Sequence, residues 1–145
     1  VKTLLPLAIV LAIASSYGIW YRRSRGKIKA RSGVVPVVVA GDLTGASTGP
    51  IKFGSRVTLL QFSSAFCSPC RATRALLADI TEEMADVSHI DIDAESHLEL
   101  VRRLDIRSTP TTLILDGNQV EVGRAVGAPK RAQVIAAISA VAPVK

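Results

Sequence analysis

The chain has 145 residues but only two cysteines, two histidines and one tryptophan, and aromatic side chains make up 4% of it. No second CxxC accompanies the one at Cys67 and Cys70, and His89 and His97 lack the three-to-five spacing of a zinc finger, so a zinc site is short of ligands. No Gly-rich phosphate loop and no flavin or dinucleotide fingerprint occurs. Arg71 rather than His follows Cys70, which excludes haem attachment, and no bound cofactor is expected. Internal repeats are absent, and the length excludes a multidomain reading. No acidic residue precedes Asp42.

What is present is apolar and unevenly charged. Hydrophobic residues reach 48%, charged ones 21%, and the mean hydropathy is +0.34, too apolar for a disordered chain. The net charge of +6 belongs to one short segment, Arg22, Arg23, Arg25, Lys27, Lys29 and Arg31; outside it and Lys2 the chain is nearly neutral. With no aromatic-basic interleaving elsewhere, nucleic acid is not expected as a partner. Thr3–Tyr21 is an uncharged run that, as a helix, just spans the ~30 Å hydrocarbon layer of a bilayer. Tyr17, Trp20 and Tyr21 close it at the level where amphipathic rings prefer the headgroups. A cleaved leader has its cations before the apolar run and a small-residue site after it; here the heavy positive charge follows, which favours a retained anchor. The expected organisation is a transmembrane anchor over 1–21, a basic juxtamembrane linker over 22–33 and one domain over 34–145. The positive-inside bias places the domain on the cytoplasmic side, with an extracytoplasmic domain as the alternative.

Within the domain, Val34–Val39 reads as an edge strand broken by Pro36. Val57–Phe62 reads as a strand, and Ser68–Met84 as a helix with Ala72, Leu76, Leu77, Ile80 and Met84 at helical spacing. Val87–Ile92 is a further strand, Leu98, Val101 and Leu104 mark a helix face, and Asp116-Gly117-Asn118 joins two strands as a hairpin. Val134, Ile135, Ile138 and Val141 mark the last helix. The pattern βαβα followed by ββα predicts an α/β fold with a mixed sheet flanked by helices. Cys67 and Cys70 fall where the Val57–Phe62 strand meets its helix. Free N–H groups and the positive dipole end there stabilise a thiolate at the first cysteine, and a second one turn on can close a disulfide. Pro69 suits the first helical turn. The pair therefore points to thiol–disulfide exchange, Cys67 attacking and Cys70 resolving, against a half zinc site or an inert structural disulfide.

The stretches VTLLQFSSAFCSPCR at 57–71 and LDIRSTPTTLIL at 104–115 resemble a thioredoxin, and the likeness, with the hairpin and Val126-Gly127-Ala128, covers roughly residues 34–141. The short anchor, the Arg-rich flank and residues 93–104 are similar to membrane-anchored thioredoxin-like proteins of actinobacterial type. The resemblance implies a thioredoxin-like fold, a cis peptide at Thr109-Pro110, and a substrate-binding surface made of Phe66, Ser68, Pro69, Thr109 and Pro110. It also exposes departures. Gln61 stands where the family has a buried Asp, and an amide cannot act as a base; His89 stands where a Lys is usual and is the candidate for proton-transfer support of Cys70. Ser63 and Phe66 replace two Trp residues, and Ser68 replaces a Gly between the cysteines. The expected function is a membrane-tethered thiol–disulfide oxidoreductase, with disulfide-bearing proteins or small molecules, a thiol electron donor and the lipid bilayer as partners. A thioredoxin-fold adaptor with little redox turnover is the alternative.

Overall fold

The structure is a computed structural model that describes residues 4–24, 26–30, 38, 40–43, 45 and 51–142. Helix α1 (Leu4–Ser24) is followed by strand β1 (Ile28–Ala30), a 3-10 turn (Ala40–Leu43), β2 (Val57–Ser63), α2 (Ser68–Glu82), β3 (Val87–Asp93), α3 (Leu98–Arg103), β4 (Thr111–Asp116), β5 (Glu121–Val126) and α4 (Arg131–Ser139). The strands form one sheet in the order β1-β5-β4-β2-β3, with β2 and β3 parallel and every other neighbour antiparallel. The mixed α/β architecture is the one the pattern of apolar runs predicts.

β2 is buried at every residue, because it is central and covered on both faces. Side chains alternate across a strand, so Val57 and Leu59 join Leu77, Ile80, Val134 and Ile138 in the core beneath α2 and α4. Leu60 and Phe62 point the other way, against Ile90, Ile92, Leu100 and Leu104. Arg131 ties α4 to α2 through Asp79 and, at 2.7 Å, Glu83.

β1 lies inside the segment expected as a linker. Three residues carry too little alternation to be read as a strand, and pairing with β5 creates it: Ile28 opposite Ala125, Lys29 opposite Arg124 and Ala30 opposite Gly123. The strand expected at Val34–Val39 lies outside the described residues except for Val38, which is buried and donates its N–H to the Gln119 carbonyl. At the amino terminus the expected helix forms, with Leu7 56%, Ile13 65% and Trp20 63% exposed. Among the described residues, no helix is long and apolar enough to cross a membrane.

Candidate active site

The cysteines sit where β2 ends and α2 begins. Cys67 is the N-cap of α2 in an extended conformation, and its Sγ accepts the Cys70 N–H at 3.2 Å. Pro69 occupies the first turn, where its fixed φ fits and a missing N–H has no cost. The two cysteines are joined, with S–S 1.95 Å and Cα–Cα 5.2 Å. Their exposure is unequal: Cys67 is partly accessible, while Cys70 is only 1% exposed. The accessible sulfur is also the one at the helix N-terminus, where unpaired N–H groups lower a thiol pKa and favour the nucleophilic thiolate.

The remaining predicted surface residues gather round it. Phe66 is 97% exposed, and Ser68 and Pro69 are exposed beside it. The Thr109-Pro110 bond is cis. Ser64, directly after β2, and Thr109 share a hydrogen bond between their hydroxyls at 3.2 Å, which ties the cysteine loop to the proline loop. Sequence reasoning did not nominate Ser64.

Beneath the disulfide lies a chain of polar side chains. By strand alternation, Gln61 and Ser63 face α2, as do His89 and Asp91 of β3, the register partners of Leu59 and Gln61. Gln61, fully buried, donates its Nε2 to the Cys70 carbonyl at 3.0 Å and to Ser63 Oγ at 2.8 Å. A carbonyl only accepts, so the amide orientation is fixed, and Gln61 Oε1 is left to accept from His89 Nε2 at 3.1 Å. The histidine therefore carries its proton on Nε2. Ser63 passes its hydroxyl proton towards Asp91 Oδ1 at 2.5 Å, and Arg74 donates to Asp91 Oδ2. His89 thus meets Cys70 only through the Gln61 amide. Asp91 and Arg74 escaped the sequence reading, and Ser63 entered it only as the replacement of a Trp; the signal that carries Ser63 and Asp91 is the common parity of β2 and β3 once the parallel register is known.

Burial pushes the His89 pKa below its ordinary value of 6.5, with Asp91 opposing the shift and Arg74 adding to it. A folded-state histidine pKa below the unfolded one means that the unfolded chain binds more protons between the two values. Stability is therefore full above about pH 6.5 and falls as the pH drops below it, until His89 also titrates in the folded state. Urea midpoints at pH 7.5 and pH 5 are expected to differ by more in the native chain than in His89→Gln, which keeps a donor for Gln61 but does not titrate; equal differences would overturn the assignment.

His97 makes a local contact, Nδ1 to the Asp93 carbonyl at 3.2 Å, at the turn into α3. Among the described residues, no group of three His, Cys, Asp or Glu side chains is placed to hold a metal ion.

Comparison with known proteins agrees with this geometry. The family profile described as thioredoxin matches residues 50–140. A rice protein (Oryza sativa subsp. japonica), thioredoxin H5, is 32% identical over 72 residues, which are 50% of this chain and 53% of that one; the chain thus spans about half the length of that relative. Among solved structures, thioredoxin f from spinach chloroplast aligns with a TM-score of 0.53 at 33% identity, covering 60% of this chain and 71% of its own. Thioredoxin f2 of Chlamydomonas reinhardtii aligns with a TM-score of 0.55 at 25% identity, covering 65% and 85%.

Proposed function

The chain belongs to the thioredoxin family, and from that premise we propose that it is a thiol–disulfide oxidoreductase that reduces disulfides by dithiol exchange. The observation that carries this reading is the unequal pair: an accessible Cys67 sulfur at a helix N-terminus, disulfide-bonded to a buried Cys70. In the reduced protein the Cys67 thiolate attacks one sulfur of a substrate disulfide; that S–S bond breaks, and the departing sulfur leaves as a thiolate that takes a proton from water. Cys70 then loses its proton and attacks Cys67 Sγ, releasing the second substrate sulfur as a thiolate. Two electrons have passed to the substrate, and the protein is left as the Cys67–Cys70 disulfide, which a dithiol donor reduces for the next cycle. Phe66, Ser68, Pro69 and Thr109, together with the buried Pro110, form the platform that receives the substrate backbone. His89 supports Cys70 as a positioning residue through Gln61, and the proton of Cys70 goes to solvent.

The same proposal tethers the domain to a bilayer, in the manner of the membrane-anchored actinobacterial type. The uncharged run Thr3–Tyr21, the apolar side chains of α1 left exposed and the stacked Tyr17 and Tyr21, with centroids 6.1 Å apart, support an anchor ending at a headgroup layer. The cations that follow support a cytoplasmic domain, in a compartment where thiols are kept reduced and a CxxC works as a reductant.

The test is the equilibrium reduction potential of the full chain in vesicles, titrated against a thiol buffer and read by mass after alkylation. A value near the ~−270 mV of thioredoxins is expected; one near the ~−120 mV of a strong oxidant would overturn the direction, and no intramolecular disulfide at any poise would overturn the redox reading. Flotation with the vesicles tests the anchor separately.

A further inference from the structure

The start of α2, which carries Cys70, is fastened to the sheet at two points one helical turn apart. The Cys70 carbonyl accepts Gln61 Nε2 of β2 at 3.0 Å, and Arg74, four residues on, grips Asp91 Oδ2 of β3 with Nε at 2.9 Å and Nη2 at 2.5 Å. Residues four apart share one face of a helix. Ser63 joins the two points, since its Oγ accepts from Gln61 at 2.8 Å and donates to Asp91 Oδ1 at 2.5 Å. The backbone of Ser63 is itself held, its carbonyl accepting the Ala94 N–H at 2.9 Å.

The directions of these bonds follow from Asp91. An ionised carboxylate only accepts, so the single Ser63 proton is spent on it and the Ser63 oxygen has only lone pairs left for Gln61. That keeps the Gln61 amino group, rather than its oxygen, turned towards Ser63 and Cys70, with Oε1 left for His89. Bonds to a charged acceptor are stronger than neutral ones, and a chain that donates in one sense polarises itself. The Asp91 side chain is 9% exposed and that of Arg74 46%, so the carboxylate is covered and its counter-ion reaches in from solvent.

We infer that Asp91 is a positioning residue for the resolving step: through Ser63 and Gln61 it holds the Cys70 turn where the buried thiol reaches Cys67. The inference rests on the dithiol-exchange reading and deepens it. In the mixed disulfide the Cys70 thiol gives its proton to water and its sulfur attacks Cys67 Sγ; the Cys67–Cys70 bond forms, the bond from Cys67 to the substrate breaks, and the substrate sulfur leaves as a thiolate. This step is intramolecular, and its rate depends on how well the two sulfurs are held within reach of each other. The first attack, by Cys67, is bimolecular and draws on the free N–H groups of the helix end. Loss of Asp91 therefore falls on the second step. A carboxylate acting merely as a charge would do the reverse, because a negative group near a buried thiol disfavours its thiolate, and removing it would speed resolution.

The test is single-turnover reduction of a peptide disulfide by the full chain, reduced and in slight excess, quenched with acid and read by mass as mixed disulfide and products. Asp91→Asn is expected to lengthen the lifetime of the mixed disulfide about tenfold, with its formation within about twofold of the native rate. Ser63→Ala is expected to do the same, and the double variant to be no slower than the slower single one, because both cut one chain. Arg74→Gln, a change at the half-exposed end that leaves the buried groups in place, is expected to lengthen the lifetime about threefold. An unchanged or shortened lifetime in Asp91→Asn, or in Arg74→Gln where Asp91→Asn does not fold, would overturn the proposal. So would equal slowing of both steps, or effects that multiply in the double variant. Each of these leaves the oxidoreductase reading intact, whereas absence of any product from the native chain would overturn that reading itself.

Discussion

Replacing Cys67 with serine is expected to lower disulfide reduction by about a thousandfold or more, to the rate of the thiol buffer alone, since a serine hydroxyl stays protonated where a thiol at a helix N-terminus ionises. Cys70→Ser is expected to be equally inactive in turnover but different in kind. Its Cys67 still attacks, and nothing displaces the substrate, so a mixed disulfide of one protein and one substrate accumulates and is seen by mass spectrometry without reductant. The asymmetry follows from the site: Cys67 is the partly accessible sulfur at the N-cap and Cys70 is 1% exposed behind it. Trapping by Cys67→Ser rather than by Cys70→Ser would reverse the two roles. An adaptor that does not use its cysteines would show neither effect.

The second large effect is expected at Gln61. Gln61→Ala removes the acceptor of His89 Nε2 and the donors to Ser63 and to the Cys70 carbonyl, and it leaves a cavity under the first turn of α2. Lost hydrogen bonds at a fully buried position and an unfilled volume together cost about 3 kcal/mol. Urea denaturation of the oxidised chain measures it. Gln61→Leu restores most of the volume but none of the bonds and is expected to fall between the two. If Gln61→Leu is as stable as the native chain, the amide is not holding the turn.

The redox chemistry was legible because it is local. A strand, Cys-Ser-Pro-Cys and an amphipathic helix lie in adjacent stretches of chain, and the pull of free N–H groups on a thiolate at a helix N-terminus acts within one helical turn. Gln61 could be singled out as a residue that cannot titrate, yet what it does instead could not be read, because its partners come from three elements. Ser63 and Asp91 become neighbours only through the parallel register of β2 and β3, and Arg74 reaches Asp91 from α2. The same holds for Ser64 and Thr109, 45 residues apart in sequence.

The sequence by itself determined the cysteine pair, the alternation and helical spacing that make an α/β domain, and the apolar run followed by cations, since each is a periodicity or a composition contained in a few consecutive residues. Only the tertiary structure decided which cysteine is covered, how the Gln61 amide points and which nitrogen of His89 is protonated, and that Gly26 docks on the Val126 end of β5. Those depend on contacts between distant segments, whose partners are chosen by strand order and register, and no short stretch of chain encodes either alone.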